Sequence, residues 1–195
     1  MKHFFYIFIF IPFLFFAQNE TRLALVIGNS NYAVGEELKN PVNDALLVAE
    51  TLKKLNFDVI LDTNIVDQAH FVKVVKEFGK KREDYDVAFV YYAGHGVQVG
   101  SQNYLIPTKV NCKSESDVVL DAFPVEKLMM FLRGITDKVN VLILDACRNN
   151  PFEKNWNSAR SLSTSSGLAK MQAPMGSLIA FSTTAGNIAP DGEGT

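Results

Sequence analysis

The chain has 195 residues, 48% of them apolar and 21% charged, with a formal net charge of -2. That length and apolar content suffice for one substantial core and a single domain. The positive residues are scattered rather than clustered, which excludes a basic surface that would bind nucleic acid through its phosphates.

In chain order, Lys2 and His3 precede the apolar run Phe4 to Phe16, and Ala17-Gln18-Asn19 follows. This charged, apolar, small-residue order reads as a secretory signal over residues 1–17. Export to the periplasm or the extracellular space is therefore expected, with a single domain over residues 20–195. The run falls short of the ~20 residues of a spanning helix, Pro12 interrupts it, and no later stretch is long and apolar enough to span a membrane. An uncleaved N-terminal anchor is the alternative.

Leu23 to Ile27, Phe57 to Leu61, Val87 to Ala93, Val141 to Leu144 and Leu178 to Phe181 are short apolar runs. Such runs predict strands buried on both faces of a mainly parallel sheet. Between them, Pro41 to Leu55 carries Ala45, Leu46, Ala49, Leu52 and Leu55 at helical spacing, with Asn40 as N-cap and Pro41 at the first helical position. Asp67 to Lys81 places Phe71, Val74, Val75 and Phe78 on one face. Pro124 to Arg133 has Val125, Leu128, Met129 and Leu132, with Gly134 as the stop. Alternating strands and helices predict an α/β fold with right-handed crossovers and helices on both faces of the sheet. A small hairpin, Val97 to Val99 with Tyr104 to Ile106, follows the third strand. Residues 108–117 read as a polar loop holding Cys112, and 155–173 as a long mobile loop.

Two cysteines, Cys112 and Cys147, are too few for a disulfide framework. A bridge between them would consume the more interesting thiol, so an unbridged Cys112 is the simpler reading. Ligands gather at the carboxyl ends of strands in open α/β sheets, and His95 and Cys147 each fall just past such an end. An imidazole near a thiol favours the reactive thiolate and later protonates a leaving amine. The backbone N–H groups of Gly96 and Cys147 are the natural donors to an oxyanion. Taken singly these signals fit an inert core cysteine or a glycine turn; two independent segments in the right order point to a cysteine protease.

The blocks Tyr92-Ala93-Gly94-His95-Gly96-Val97-Gln98 and Asp145-Ala146-Cys147-Arg148-Asn149-Asn150-Pro151-Phe152 carry a resemblance, together with Leu25-Val26-Ile27-Gly28-Asn29 and Asn43-Asp44-Ala45. From Arg22 onward the chain resembles bacterial caspase-like peptidases, relatives of caspases and metacaspases. The resemblance implies a three-layer αβα sandwich, Cys147 as nucleophile, His95 as general acid/base, and Gly96 with Cys147 as the oxyanion hole. Where caspases carry glutamine this chain has Asp145, as metacaspases do. A carboxylate in the S1 pocket would pair with a cationic side chain, which implies a protein or peptide substrate cut after Arg or Lys. The alternative for Asp145 is a residue that orders the turn before Cys147. Lys39 lies near where caspases place a basic S1 residue, which would suit an acidic side chain instead.

By the same resemblance the 153–173 loop, with Lys154, Arg160 and Lys170, is where self-cleavage is expected. Ser182, Thr183 and Thr184 resemble a substrate-lining loop. A further strand and covering helices are expected after Thr195, so the C-terminal part of the domain is expected to lie beyond this chain. Two rival readings are a non-catalytic caspase-like binding module and a gingipain-like or legumain-like protease.

No cofactor is expected from the sequence, and calcium dependence stays open. His95 and Cys147 lack companions at zinc spacing. Asp117, Asp121, Asp191 or Glu193 would offer oxygens to the calcium that some metacaspase relatives need, but without a calcium-loop pattern. The Gly28-Asn29-Ser30 turn lacks dinucleotide and P-loop glycine patterns. His70 is expected to be an exposed or capping residue of the second helix.

Overall fold

The computed structural model describes residues 20–34, 37–133, 137–147 and 168–182, and at Cys147 it describes the backbone. The expected signal at 1–17, Gly134, Lys154, Arg160, Thr183, Thr184, Asp191 and Glu193 lie outside the described residues.

Five parallel strands make the body of the sheet: β1 (Arg22–Gly28), β2 (Phe57–Thr63), β3 (Val87–Val99), β6 (Val139–Cys147) and β7 (Ser177–Phe181), side by side in the order β2-β1-β3-β6-β7. Successive side chains of a strand point to opposite faces, and β1 shows the result. Ala24 and Val26 pack under α1 (Pro41–Lys54) with Ala45, Ala49 and Leu52. Leu23, Leu25 and Ile27 join the opposite core, with Phe71, Val74, Val75 and Phe78 of α2 (Gln68–Arg82) and Leu128 and Met129 of α4 (Val125–Met129). Each fully buried aliphatic side chain contributes about 1.5–3 kcal/mol. Helices thus cover both faces, giving the expected three-layer αβα sandwich.

β3 outruns its neighbours. Its distal part pairs antiparallel with β4 (Gln102–Leu105), which in turn pairs with the two-residue β5 (Phe123–Pro124). This is the expected hairpin, widened by one short strand. His95 therefore sits inside a continuous strand rather than past its end.

Several boundaries differ from the sequence reading for physical reasons. Asn40 has helical backbone angles and makes no side-chain cap bond; Ser30 Oγ, from the turn after β1, accepts from Val42 N–H at 3.2 Å instead. Asp67 is the N-cap of α2, accepting from His70 N–H at 2.8 Å. The third expected helix is shorter, because after Met129 the chain tightens into i to i+3 turns at Phe131 and Leu132. The polar loop holds a helix, α3 (Glu115–Asp121), capped by Ser114 and packed through Val118. Cys112 lies in that satellite core, fully buried with Val97, Tyr104 and Ile106.

Candidate active site

The parallel register of β3 and β6 sets Ala93 opposite Asp145, Gly94 opposite Ala146 and His95 opposite Cys147. The two residues singled out as acid/base and nucleophile are thus cross-strand partners at the carboxyl end of the sheet, where the crevice of an open α/β sheet lies.

His95 is buried, and its backbone is tightly held. Its N–H donates to Tyr32 Oη at 2.8 Å, and its carbonyl accepts from Tyr92 Oη at 2.8 Å and from Ile106 N–H at 3.1 Å. Gly94 has φ +150°, and a Cβ there would stand 2.6 Å from Tyr32 Oη, so only glycine lets both phenols reach the next peptide. Since the His95 carbonyl points to β4, strand alternation turns the Gly96 N–H to the β6 side, away from Leu105. Gly96 also lies tight against its neighbours, for a Cβ would meet Ala146 Cβ at 3.0 Å and Leu168 Cδ2 at 3.1 Å.

Asn29 builds the turn that delivers Tyr32. Fully buried, it donates from its backbone to Ala93 O and from Nδ2 to Ile106 O, and its Oδ1 accepts from Ile65 N–H. That turn is fixed by strands distant in sequence, so no local pattern announces Tyr32 or Tyr92.

Asp145 is half-buried and accepts from Tyr91 Oη at 3.2 Å. Burial, then the Asp145 carboxylate and its hydrogen bond, then the charge of Asp44 push the Tyr91 phenol well above its ordinary pKa. The charge of Asp44, in the first turn of α1, thereby bears on the same phenol, although the sequence did not single it out as a site residue.

Lys39 is placed differently. It lines an open cleft of about 460 Å³ with Ser30, Asn31, Glu37, Leu38, Val42 and Asn64, and neither His95 nor Asp145 lines that cleft. Ser182 donates its N–H to Leu144 O, extending the β6–β7 edge beside the site. Lys170 is exposed. His70 pairs its Nε2 with Asp62 Oδ2 at 2.9 Å and is half-buried, on β2's side of β1. Asp117 is occupied in capping, accepting from Lys113 N–H. Among the described residues no three or more His, Cys, Asp or Glu side chains gather to hold a metal ion. No described helix is long and apolar enough to cross a membrane.

The family described as Caspase domain matches residues 21–195. Human mucosa-associated lymphoid tissue lymphoma translocation protein 1 is 26% identical over 129 residues, which are 65% of this chain and 15% of that protein. Mouse caspase-12 is 25% identical over 153 residues, 78% of this chain and 34% of that protein. The chain thus spans about a third or less of the length of these curated relatives. The solved structure of the Drosophila initiator caspase Dronc aligns with a TM-score of 0.57 at 12% identity, covering 84% of this chain and 55% of that one, a likeness of fold. A family match over nearly its whole length shows that this chain belongs to the caspase-domain family.

Proposed function

We propose that this chain is an exported cysteine endopeptidase that hydrolyses peptide bonds after Arg or Lys, with Cys147 as nucleophile and His95 as general acid/base. The observation that carries the reading is the cross-strand pairing of His95 with Cys147, with the Asp145 carboxylate two residues before the nucleophile.

In this mechanism His95 takes the Cys147 proton, and the thiolate sulfur attacks the scissile carbonyl carbon. The carbonyl oxygen becomes an oxyanion held by the N–H groups of Gly96 and Cys147. The C–N bond then breaks as imidazolium gives its proton to the leaving amine, leaving an acyl-enzyme thioester. Water, deprotonated by His95, hydrolyses that thioester and returns the thiol. Asp145, with Asp44 nearby, supports a cationic side chain as the group recognised next to the cut bond. Ser182, with Thr183 and Thr184, forms the substrate-lining loop in this reading.

Labelling of Cys147 by an arginyl chloromethyl ketone, lost in His95→Ala, is the expected result. A folded protein that takes no label would instead be a binding module. The same enzyme would cut itself within residues 153–173, so the wild type is expected to split while Cys147→Ala stays intact. Equal splitting of both would assign the cut to an outside protease.

A further inference from the structure

An acid/base imidazole has to keep its plane through two opposite proton transfers, and β3 alone fixes only its backbone. The surroundings of His95 add a closed ring of hydrogen bonds. His95 N–H donates to Tyr32 Oη at 2.8 Å, and Tyr92 Oη donates to His95 O at 2.8 Å. The two phenolic oxygens stand 3.5 Å apart. Because Tyr92 spends its one proton on the His95 carbonyl, its oxygen is left as the acceptor for the proton of Tyr32. The chain of contacts begins and ends on the His95 peptide, and Tyr92 is held further by Asn29 and the Ile106 backbone. Tyr32 also reaches the side chain: its ring centroid lies 4.3 Å from that of the His95 imidazole, tilted by 49°. Offset and tilted aromatic pairs at this separation attract. Tyr92 is anchored in the main core, 6.2 Å from the Phe71 ring. Tyr32 comes from the turn after β1 and packs against the satellite core.

We propose that Tyr32 is a positioning residue for His95, fixing the plane of the imidazole with its ring and the His95 peptide with its hydroxyl. This rests on the reading of His95 as the acid/base. Tyr92 supports Tyr32 by closing the circuit, and Gly94 makes the circuit sterically feasible. None of these contacts involves a residue read as substrate-binding, so their loss is expected to act on the chemical step rather than on binding.

The test compares Tyr32→Phe, which keeps the ring and loses the acceptor for His95 N–H, with Tyr32→Leu, which loses both. Tyr85→Phe is the control, at the opposite end of the strands where Tyr85 bonds Asp58. On an arginyl peptide, Tyr32→Leu is expected to lower kcat roughly tenfold or more with KM nearly unchanged, and Tyr32→Phe to lower it less. Thermal unfolding checks that each variant is folded. A second readout needs no turnover: the chain has three histidines, so the His95 ring protons can be followed by NMR in the Cys147→Ala background. In Tyr32→Leu they are expected to shift and broaden as the ring loses its neighbour, and in Tyr32→Phe to stay near their original positions. A Tyr32→Leu protein with unchanged kcat, or with unchanged His95 resonances, overturns the proposal. Failure of the protease reading looks different: the wild type is inactive, or activity survives Cys147→Ala, and the NMR comparison still decides whether Tyr32 holds the imidazole.

Discussion

Tyr91 of β3 donates its hydroxyl to Asp145 Oδ2 of β6 at 3.2 Å, and the charge of Asp44 from α1 bears on the same phenol. The negative charges of both carboxylates bear on Tyr91, and Asp145 stands two residues before Cys147. Replacing Asp145 with Asn keeps an acceptor for Tyr91 and removes the charge. A charge-assisted hydrogen bond contributes about 1.5–3 kcal/mol, so kcat/KM on arginyl peptides is expected to fall roughly 10- to 100-fold, with a smaller fall for Asp44→Asn. Matched Arg, Lys and Asp peptides provide the check, and a wild-type preference for Asp would refute the pocket.

Cys112 offers a contrast in thiol chemistry. Burial, with a smaller contribution from the charges of Asp121 and Asp117, pushes its thiol up to about 12. A raised thiol pKa keeps the group protonated, and the thiolate is the reactive form. Iodoacetamide at pH 8 is therefore expected to modify Cys147 and to spare Cys112 until the protein is unfolded. Peptide mapping before and after denaturation tests this; native modification of Cys112 at a comparable rate would contradict it.

Among the described residues Arg82 is the largest fully buried side chain, at the end of α2. Its Nε and Nη2 donate to Asn140 Oδ1 at 2.9 and 2.7 Å, and Nη1 donates to Tyr85 O. Asn140 in turn donates to Leu132 O and Ser177 Oγ. Removing a neutral hydrogen-bond partner of a buried charged group leaves its donors unsatisfied, at a cost of about 1.5–3 kcal/mol. Asn140→Ala is expected to lose stability on that scale in urea unfolding. The double variant Arg82→Met, Asn140→Leu is expected to recover much of it, because the charge has gone with its partner. Additive losses in the double variant would count against this account.

The architecture was legible because each main element has a strong local cause. Five apolar runs became β1, β2, β3, β6 and β7, and the helical spacing of Ala45, Ala49 and Leu52 became the buried face of α1. Elements held by distant partners were not legible. The α1 N-terminus takes its cap from Ser30 rather than from adjacent Asn40, and α3 owes its place to Ser114 and the single buried Val118. In the site, His95 and the Cys147 backbone come together as their segments suggested. Tyr32 escaped the sequence reading because its contact with His95 crosses 63 positions. Lys39 shows the converse, a residue near the right turn that shares its cleft with Glu37 rather than with Asp145.

Asn103, itself buried, grips residue 169 from both sides: Nδ2 donates to Ala169 O at 2.9 Å and Oδ1 accepts from Ala169 N–H at 2.7 Å. Leu168 is wedged beside Gly96, and β7 is zipped along β6. Residues 168–182 are thus fastened to the domain by their own contacts, without help from the covalent link to Cys147. A nick anywhere between those two residues would turn one polypeptide into two that still travel as a single particle, parting only in denaturant.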